Sequence, residues 1–472
     1  MKKKLIIVLM LAYVLRAYSE IDDRFLAVGY GGVIELRNPL TGERGDRIEV
    51  ASGHYITIPN VNSNQPGVSL QVPDTLSPTI LSYVNSGYSW TLFAGFNFHQ
   101  WNMYPDDKTV YYSTVTHGRQ SAYALIKHKS NAHNNVYNDY KIICSSTGGA
   151  IGLFNMYDGV REKVITQPVF SPGSKGVTCF AMYQEDDKNF LVCGSHCGGC
   201  VDIYDYPTGK LVNSLSGFDG YVFVSGVIVF KSNNEIRIIA SSNTGFITCW
   251  KKTDSWNQEW NKVIQHQGLQ KNVPINGLVV YKDAQDAAVK FIPITSDGVI
   301  RVGDACTGTE LRTLSTEQFT TSLLLDARPW TLSLVDIKPY QVGDSVKLAV
   351  TYKKNQREGF LAVWNVTTGL LEYCKKIPPA ALTLFEDDGK IYCVTCGIDG
   401  IVRTWDLTSK QLVILFSVEK KNDRIKADTA CLATRQGSIF DPKVIAISHS
   451  YVGTCGSDMP FFDLNDIRMV TL

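Results

Sequence analysis

The sequence lacks an excess of charge of either sign. Its 472 residues carry 46 Lys and Arg against 45 Asp and Glu, which leaves a formal net charge of +1. A balanced charge offers no basic field, and no basic cluster occurs beyond Lys2–Lys4, so we expect no nucleic-acid partner. Charged residues make up 19% and hydrophobic residues 44%, which excludes an intrinsically disordered chain.

Familiar catalytic motifs are also missing. The chain has no Gly-x-x-x-x-Gly-Lys-Ser/Thr phosphate loop, no His-Glu-x-x-His zinc motif and no Gly-x-Ser-x-Gly nucleophile elbow. Acidic pairs such as Asp186-Asp187 and Asp387-Asp388 resemble turns between strands. The sequence therefore predicts that the protein is not an enzyme and has no cofactor and no metal centre.

Long apolar runs are absent except at the amino terminus. Lys2–Lys4 precede an apolar run over residues 5–15, and the small residues Ala17 and Ser19 follow it. This arrangement is typical of a secretory signal peptide over residues 1–19, cleaved before Glu20. The run is too short for a stable membrane span, which needs about 20 apolar residues. Cleavage predicts a secreted or secretory-pathway protein.

The same residues have a second interpretation. Residues 6–14 could form the innermost strand of a first β unit, followed by another strand at Phe25–Gly29. In that case the apolar run would stay with the protein and the chain would be cytoplasmic. The sequence leaves both interpretations open.

What the sequence does contain is a unit repeated along its length. Each copy has an apolar strand, a turn of small residues, a second strand that ends in an aromatic residue, and a polar turn. The clearest copies lie at Leu191–Val212, Ile294–Gly308 and Cys396–Asp406. The aromatic position recurs about every 53 residues, close to the period of a four-stranded propeller blade. The nine equivalent positions are Leu36, Trp101, Phe154, Tyr204, Trp250, Gly303, Trp364, Trp405 and Phe462.

This pattern resembles the WD-repeat β-propeller family. Trp405-Asp406 is a Trp-Asp pair, Tyr204-Asp205 and Trp364-Asn365 are near versions, and Gly53-His54 matches the pair that usually opens a repeat. The resemblance covers nearly all of residues 25–472. It implies an all-β chain with a single propeller of four-stranded blades over residues 20–472. In the family, strands from both chain ends commonly close the ring, which removes exposed sheet edges. We expect eight blades, with seven or nine as alternatives.

A propeller without catalytic motifs predicts a non-catalytic platform for protein–protein interaction. Strands supply stability in this architecture and loops supply recognition, so we expect a protein or peptide to bind through loops on one face. The alternative is an extracytoplasmic propeller that hydrolyses or binds a carbohydrate or other ligand at the mouth of its channel.

Four residues are candidates for contact with a partner. Trp256 and Trp260 lie near an outer strand, and exposed Trp is enriched at interface hot spots, although both could instead pack between blades. Asp297 and Asp399 occupy equivalent Asp-Gly turns. They would either form a partly acidic rim or serve the turn, because Asp-Gly pairs tolerate positive φ.

Twelve cysteines raise the question of disulfides and metal ligands. Most fall inside predicted strands, where a free thiol packs as a small apolar group. Cys197 and Cys200 flank a Gly-Gly pair, which predicts a two-residue turn that brings the two sulfurs within reach of a disulfide. Unpaired thiols, a redox pair and a zinc set with Cys193 and His196 are the alternatives.

Asn365-Val366-Thr367 is the one acceptor sequence for N-glycosylation in the chain. If the chain enters the secretory pathway, this sequence predicts a glycan on Asn365. Otherwise Asn365 replaces the usual Asp at the turn after Trp364. Both interpretations hold together only if the amide is exposed.

Overall fold

The computed structural model is built from β-strands in the residues that it describes. It describes residues 26–30 and 33–49, separate strands between residues 55 and 166, most of 177–314 and 332–419, and three strands between residues 430 and 463. Side chains are described mainly in 37–44, 177–314 and 332–419. The thirty-six strands form eight sheets of four or five strands and one two-stranded hairpin. No helix in this part of the chain is long and apolar enough to cross a membrane.

Each large sheet is one blade, and the blades are numbered in chain order. Blade 1 contains β1 (Leu26–Tyr30), β2 (Val33–Arg37) and β3 (Arg44–Glu49), and the hairpin of β4 (Tyr55–Ile58) and β5 (Val68–Gln71) follows it. Blade 2 contains β6 (Ile80–Asn85), β7 (Trp90–Gly95), β8 (His99–Met103) and β9 (Thr109–Ser113). Blade 3 contains β10 (Gln120–Lys127), β11 (Tyr140–Ser146), β12 (Ala150–Asn155) and β13 (Arg161–Thr166). Blade 4 contains β14 (Val177–Glu185), β15 (Lys188–Ser195), β16 (Cys200–Tyr206) and β17 (Lys210–Ser216).

The second half of the chain repeats the arrangement. Blade 5 contains β18 (Val224–Ser232), β19 (Glu235–Ser242), β20 (Phe246–Lys252) and β21 (Trp256–Val263). Blade 6 contains β22 (Ile275–Lys282), β23 (Val289–Thr295), β24 (Ile300–Asp304) and β25 (Glu310–Leu314). Blade 7 contains β26 (Ser333–Val342), β27 (Ser345–Lys353), β28 (Gly359–Asn365) and β29 (Leu370–Ile377). Blade 8 contains β30 (Ala380–Asp387), β31 (Lys390–Gly397), β32 (Ile401–Asp406) and β33 (Gln411–Ser417). The last strands are β34 (Ala430–Thr434), β35 (Val444–His449) and β36 (Phe461–Asp463).

The inner strands of successive blades contact one another. β14 contacts β18, β18 contacts β22, and β26 contacts β30. β30 contacts β34, which in turn contacts β6 of blade 2, so the ring passes from blade 8 through blade 1 to blade 2. The expected all-β propeller of four-stranded blades is confirmed, and the described strands form eight such sheets.

Blade 1 is completed by both ends of the chain. β34 lies antiparallel to β1, with Leu26 opposite Thr434 and Tyr30 opposite Ala430. β1 already pairs with β2 on its other side. A strand from residues 6–14 is therefore not needed beside β1, although those residues themselves lie outside the described part.

The stretch around Phe462 does not form a ninth blade. β36 instead lies parallel to β10 of blade 3, and β35 lies antiparallel to β22 of blade 6. β35 also contacts β14 and β18. The last strands of the chain thus cover inner edges of existing blades, because a single strand gains more hydrogen bonds there than it could make alone.

The core lies between adjacent blades. Trp364 on β28 is fully buried between blades 6 and 7, and its indole N–H donates to the Tyr352 hydroxyl at 3.1 Å. Blade 6 has Gly303 where blades 4, 5, 7 and 8 carry an aromatic residue. A Cβ at Gly303 would lie 2.4 Å from the Phe291 ring, which fills that space and stacks on Trp260 at 5.5 Å.

The polar turn after the third strand has the same construction in several blades. In blade 6 the Asp304 carboxylate accepts the N–H groups of Cys306 and Thr307, both at 2.8 Å, and Gly308 follows with a φ of 70°. In blade 8 the Asp406 carboxylate accepts two N–H groups in the same way. Lys410 occupies the glycine position there, with a φ of 61°.

Lys410→Gly should stabilise the protein by about 1 kcal/mol, because a left-handed backbone strains any residue with a Cβ. Urea unfolding should show a higher midpoint with an unchanged slope. The matched control is Gly209→Ala at the same turn position of blade 4, where φ is 74°, and it should destabilise by a similar amount. A lower midpoint for the Lys410 variant would contradict the strain at this turn.

Candidate interaction surface

Asp297 forms a buried ion pair within its own blade. Its carboxylate accepts two hydrogen bonds from the Arg301 guanidinium, at 2.7 and 3.1 Å, one from Thr295 Oγ1 at 2.7 Å and one from Val299 N at 3.1 Å. Leu332, which leads into blade 7, covers this turn at Gly298. Asp297 is only 3% exposed, so its carboxylate serves the turn and presents little surface to a partner.

The electrostatics of Asp297 follow from these contacts. Burial acts to raise the pKa of the carboxyl, but the Arg301 guanidinium and the two further donors outweigh it. The pKa of Asp297 therefore lies below its usual range, and the pair is ionised at neutral pH.

Asp399 repeats the pair in blade 8 with more exposure. Its carboxylate accepts from the Arg403 guanidinium at 2.7 Å and from Ile401 N at 3.1 Å. The Asp399 side chain is 28% exposed. Of the two predicted acidic contacts, Asp399 is the one whose side chain is open to a partner.

The two tryptophans lie between blade 5 and its neighbours. Trp256 packs edge-on against Tyr183 of blade 4, with ring centroids 6.0 Å apart. Trp260 stacks on Phe291 of blade 6 and donates its indole N–H to the Ala305 carbonyl at 3.3 Å. Both side chains are half-buried, so a partner could touch only their outer edges.

Cys200 carries a free, half-buried thiol in the structure. Cys197 and His196 lie outside the described residues, so the disulfide of Cys197 and Cys200 stays a prediction. Burial raises the pKa of Cys200, and the nearby Asp202 carboxylate raises it further. A raised pKa disfavours the thiolate, which argues against a redox role. Among the described residues, no three His, Cys, Asp or Glu side chains group closely enough to hold a metal ion.

Asn365 serves the turn after Trp364. Its amide nitrogen donates to Glu372 Oε1 at 3.0 Å, and its oxygen accepts from Thr368 N at 3.0 Å. The residue is 8% exposed. A glycan would need this amide nitrogen at the surface, so the folded turn disfavours the predicted modification.

Asp336 and Lys338 form a buried pair between blades 7 and 8. The Asp336 carboxylate lies 4.0 Å from Lys338 Nζ and accepts from Leu382 N of blade 8 at 3.2 Å. Both side chains are shielded from solvent almost completely. The pair joins two blades and offers a ligand no access.

The sequence analysis missed an apolar surface on the outer strand of blade 8. Leu412, Val413 and Leu415 of β33 are 44%, 47% and 52% exposed. The signal was present, because Gln411–Ser417 contains no charged residue. Periodicity alone could not show that this run forms the outermost strand.

The scaffold holds β33 firmly in place. Leu40 of blade 1 and Phe416 of β33 pack in one apolar cluster, and the Arg37 guanidinium lies 5.1 Å from the Phe416 ring centroid. Thr404 Oγ1 donates to the Pro39 carbonyl at 2.6 Å. Blade 1 thus packs against the face of β33 that carries Ile414 and Phe416, and the Leu415 side chain alternates to the other face.

Comparisons with known proteins bear on the fold. A scan against protein-family models finds no match, and neither does a search of curated proteins. Among solved structures, the chain is similar to a dihydro-heme d1 dehydrogenase, NirN in complex with DHE. That match has a TM-score of 0.56 and 14% identity, and it covers 87% of this chain and 75% of NirN.

A second similar structure is apo AztD from Citrobacter koseri, with a TM-score of 0.49 and 13% identity over 88% of this chain and 99% of AztD. NirN is a β-propeller protein. At such low identity the likeness to NirN extends to the fold alone. Together with the eight blades, it makes this chain a β-propeller protein.

Proposed function

We propose that the protein is a non-catalytic, WD-repeat-like platform that binds a protein or peptide. The partner would contact the outer surfaces of the blades and the rim turns, which are the turns between the second and third strand of a blade, such as those of Asp297 and Asp399. The observation that carries the proposal is that the last strands of the chain occupy the inner edges of three blades. β34, β35 and β36 lie along inner strands of blades 1, 6 and 3. Recognition is then left to the rim and to the outer strands.

The rim also has charged positions available for a partner. Asp399 is held by Arg403 in a defined rotamer and is partly exposed. A preorganised side chain loses little conformational entropy on binding, which favours its use in recognition. Rim charges mainly affect association rate and specificity.

The test begins with a stoichiometric partner isolated from native cells and reconstituted with the purified chain. Asp399→Lys should weaken that complex about tenfold, because it reverses a partly exposed rim charge. Asp344→Lys is the control, since Asp344 is exposed in a turn between the first and second strands of blade 7. Circular dichroism should show both variants folded. If wild type and both variants bound the partner with equal affinity, Asp399 would not belong to the partner-binding site.

The competing function is a ligand-binding or hydrolytic propeller with a site at the channel mouth. Hydrogen exchange separates the two. A protein partner should protect rim turns and outer strands, whereas a channel ligand should protect β22 and β35. If a small molecule protected only the inner strands and no protein partner were recovered, the protein would be a ligand-binding propeller and not an interaction platform.

We also propose that residues 1–19 are a cleaved signal peptide and that the protein enters the secretory pathway. The closure of blade 1 by β34 supports this, because the ring does not need residues 6–14 beside β1. Intact-mass analysis of the native protein should show a chain that begins at Glu20. A chain that retains Met1 would indicate a cytoplasmic protein.

A further inference from the structure

The fold assembles a basic surface at the rim of blade 7, although the sequence shows no basic cluster beyond Lys2–Lys4. One part of this surface is the rim turn between β27 and β28, and the other is the end of β29. The two parts together carry one carboxylate, on Glu358, and five cationic side chains. These five residues, which we call the basic rim surface, are Lys353, Lys354, Arg357, Lys375 and Lys376.

The strand register brings the two parts together. Lys353 is the last residue of β27 and lies opposite Gly359 of β28, which in turn lies opposite Ile377 of β29. Lys375 and Lys376 come directly before Ile377. Because neighbouring strands are about 4.8 Å apart, the backbones on either side of β28 are separated by roughly 10 Å. Side chains as long as lysine and arginine can therefore reach one short ligand from both parts.

The rim turn holds its charges in a defined arrangement. The Asn355 side-chain oxygen accepts from Arg357 N at 2.8 Å and from Glu358 N at 2.9 Å. Lys354 N donates to the Glu358 carbonyl at 2.8 Å. Arg357 is exposed at the outer side of this turn. A preorganised turn loses little conformational entropy when a ligand binds, which favours its use in recognition.

Most of the positive charge is not neutralised by the described part of the chain. Glu358 accepts from Lys376 Nζ and lies 3.6 Å from Lys354 Nζ. Among the described residues, no carboxylate makes an ion pair with Lys353, Arg357 or Lys375, and all three are exposed. Like charges held close together repel one another, so they favour binding of an anionic group that separates them.

The basic character is specific to blade 7 among the blades whose side chains are described. The rim turns of blades 4, 5, 6 and 8 span residues 196–199, 243–245, 296–299 and 398–400, and none of them contains Lys or Arg. The blade 7 turn spans residues 354–358 and is the longest of the five. A general solubility function of charged turns would not confine the cations to one blade.

We propose that the basic rim surface binds an acidic segment of a protein partner. This inference rests on the proposed interaction function and names the chemistry of the partner. The Arg357 guanidinium can donate two parallel hydrogen bonds to one carboxylate, and the lysines can hold further carboxylates as point charges. A width of roughly 10 Å corresponds to about three residues of an extended peptide.

The neighbouring rim turn of blade 8 adds one negative position. Pro379, in the connection between the two blades, accepts from Ile398 N at 3.1 Å, and a Cβ at Gly359 would lie 3.1 Å from Pro379 N. The two rim turns therefore lie side by side, with the partly exposed Asp399 beside the basic rim surface. A complementary segment has acidic residues over blade 7 and a basic residue over Asp399. Such a charge pattern fixes the orientation of the bound segment.

A nucleic acid fits this surface less well. The cations are confined to one blade, whereas a specific protein–DNA interface buries about 1,000 Å² or more of protein surface. Asp399 would repel a phosphate backbone that continued on to blade 8. The formal net charge of +1 also provides no long-range field to attract a polyanion.

The test is fluorescence anisotropy of a labelled oligoglutamate peptide with the full chain. Wild type should bind this peptide saturably at low salt and more weakly as salt rises, and it should not bind oligoglutamine of the same length. Arg357→Glu should weaken binding about tenfold, because it replaces an attraction by a repulsion. Lys188→Glu is the matched control, since Lys188 is exposed at the start of β15 and the change in net charge is the same. It should bind as wild type does.

Asp399→Lys provides a second signature. It should strengthen binding of the purely acidic peptide, because the turn beside the basic rim surface then becomes basic as well. All variants should keep the wild-type thermal unfolding midpoint. A wild type that does not bind oligoglutamate overturns the inference, as does an Arg357→Glu variant with wild-type affinity. Tighter binding of a DNA duplex, lost in Arg357→Glu, would assign the surface to nucleic acid instead.

The isolated protein partner separates this inference from the proposed function. Arg357→Glu and Asp399→Lys should both weaken that complex, and loss in both supports the acidic segment. If only Asp399→Lys weakened it, the acidic segment would be overturned and the platform would stand. If oligoglutamate bound wild type but no protein partner were recovered, the platform would be overturned, and with it the assignment of the surface to a protein.

Discussion

Replacing Arg301 with Ala is expected to lower the free energy of unfolding by about 3–5 kcal/mol, the range for a buried ion pair that loses one partner. The Asp297 carboxylate would stay buried under Leu332 without the two hydrogen bonds that the Arg301 guanidinium donates to it. Denaturant unfolding monitored by tryptophan fluorescence measures the change.

Arg403→Ala provides the matched control. Arg403 makes the same contact with Asp399 in blade 8, but the Asp399 side chain is 28% exposed. Water can solvate the carboxylate there, so this variant should lose only about 1 kcal/mol or less. Equal losses for the two variants would contradict the decisive role of burial.

The same pair sets a pH dependence. The folded pKa of Asp297 lies below its unfolded value of about 3.9, so its contribution to stability is complete above that value. The contribution falls as the pH drops from that value to the folded pKa, because over this interval the unfolded state takes up a proton and the native state does not. Arg301→Ala should flatten this acid limb, whereas a limb unchanged in the variant would exclude Asp297 as its source.

Ending the chain after residue 429 is expected to abolish cooperative folding. The truncated chain lacks β34, β35 and β36, which leaves β1 with an unpaired edge and uncovers β10 and β22. Closure is what keeps a propeller free of exposed inner edges, so we expect aggregation and binding of a hydrophobic dye. Calorimetry should show no single unfolding transition.

A chain that ends after residue 463 is the control for this truncation. It keeps all three closing strands and should unfold in one transition at the wild-type temperature. If the chain ending at residue 429 unfolded at the same temperature, the closure of blade 1 by β34 would not contribute to the stability of the protein.

The repeat allowed much of the fold to be predicted. The positions of Leu36, Trp101, Phe154 and Tyr204 all fall on the third strand of a blade, as do those of Trp250 to Trp405. Periodic spacing is a local property, which the sequence displays directly. Phe462-Asp463 shows the same local pattern, yet its strand pairs with β10, because pairing partners are chosen across the whole chain.

The candidate site was less predictable for the same reason. Asp297 and Asp399 share one local motif and differ in exposure. Leu332, which leads into the next blade, covers the turn that contains Asp297. Trp256 and Trp260 are alike in sequence context and pack against different neighbouring blades.

By itself, the sequence determined the all-β class, the period of the blades and the turn chemistry, because strand alternation and Asp- and Gly-containing turns act over a few residues. Only the tertiary structure decided which strand closes the ring, which carboxylate is buried and which apolar run remains exposed. Those outcomes depend on contacts between residues far apart in the chain. Thr404 and Pro39, which join blade 8 to blade 1, are such a contact.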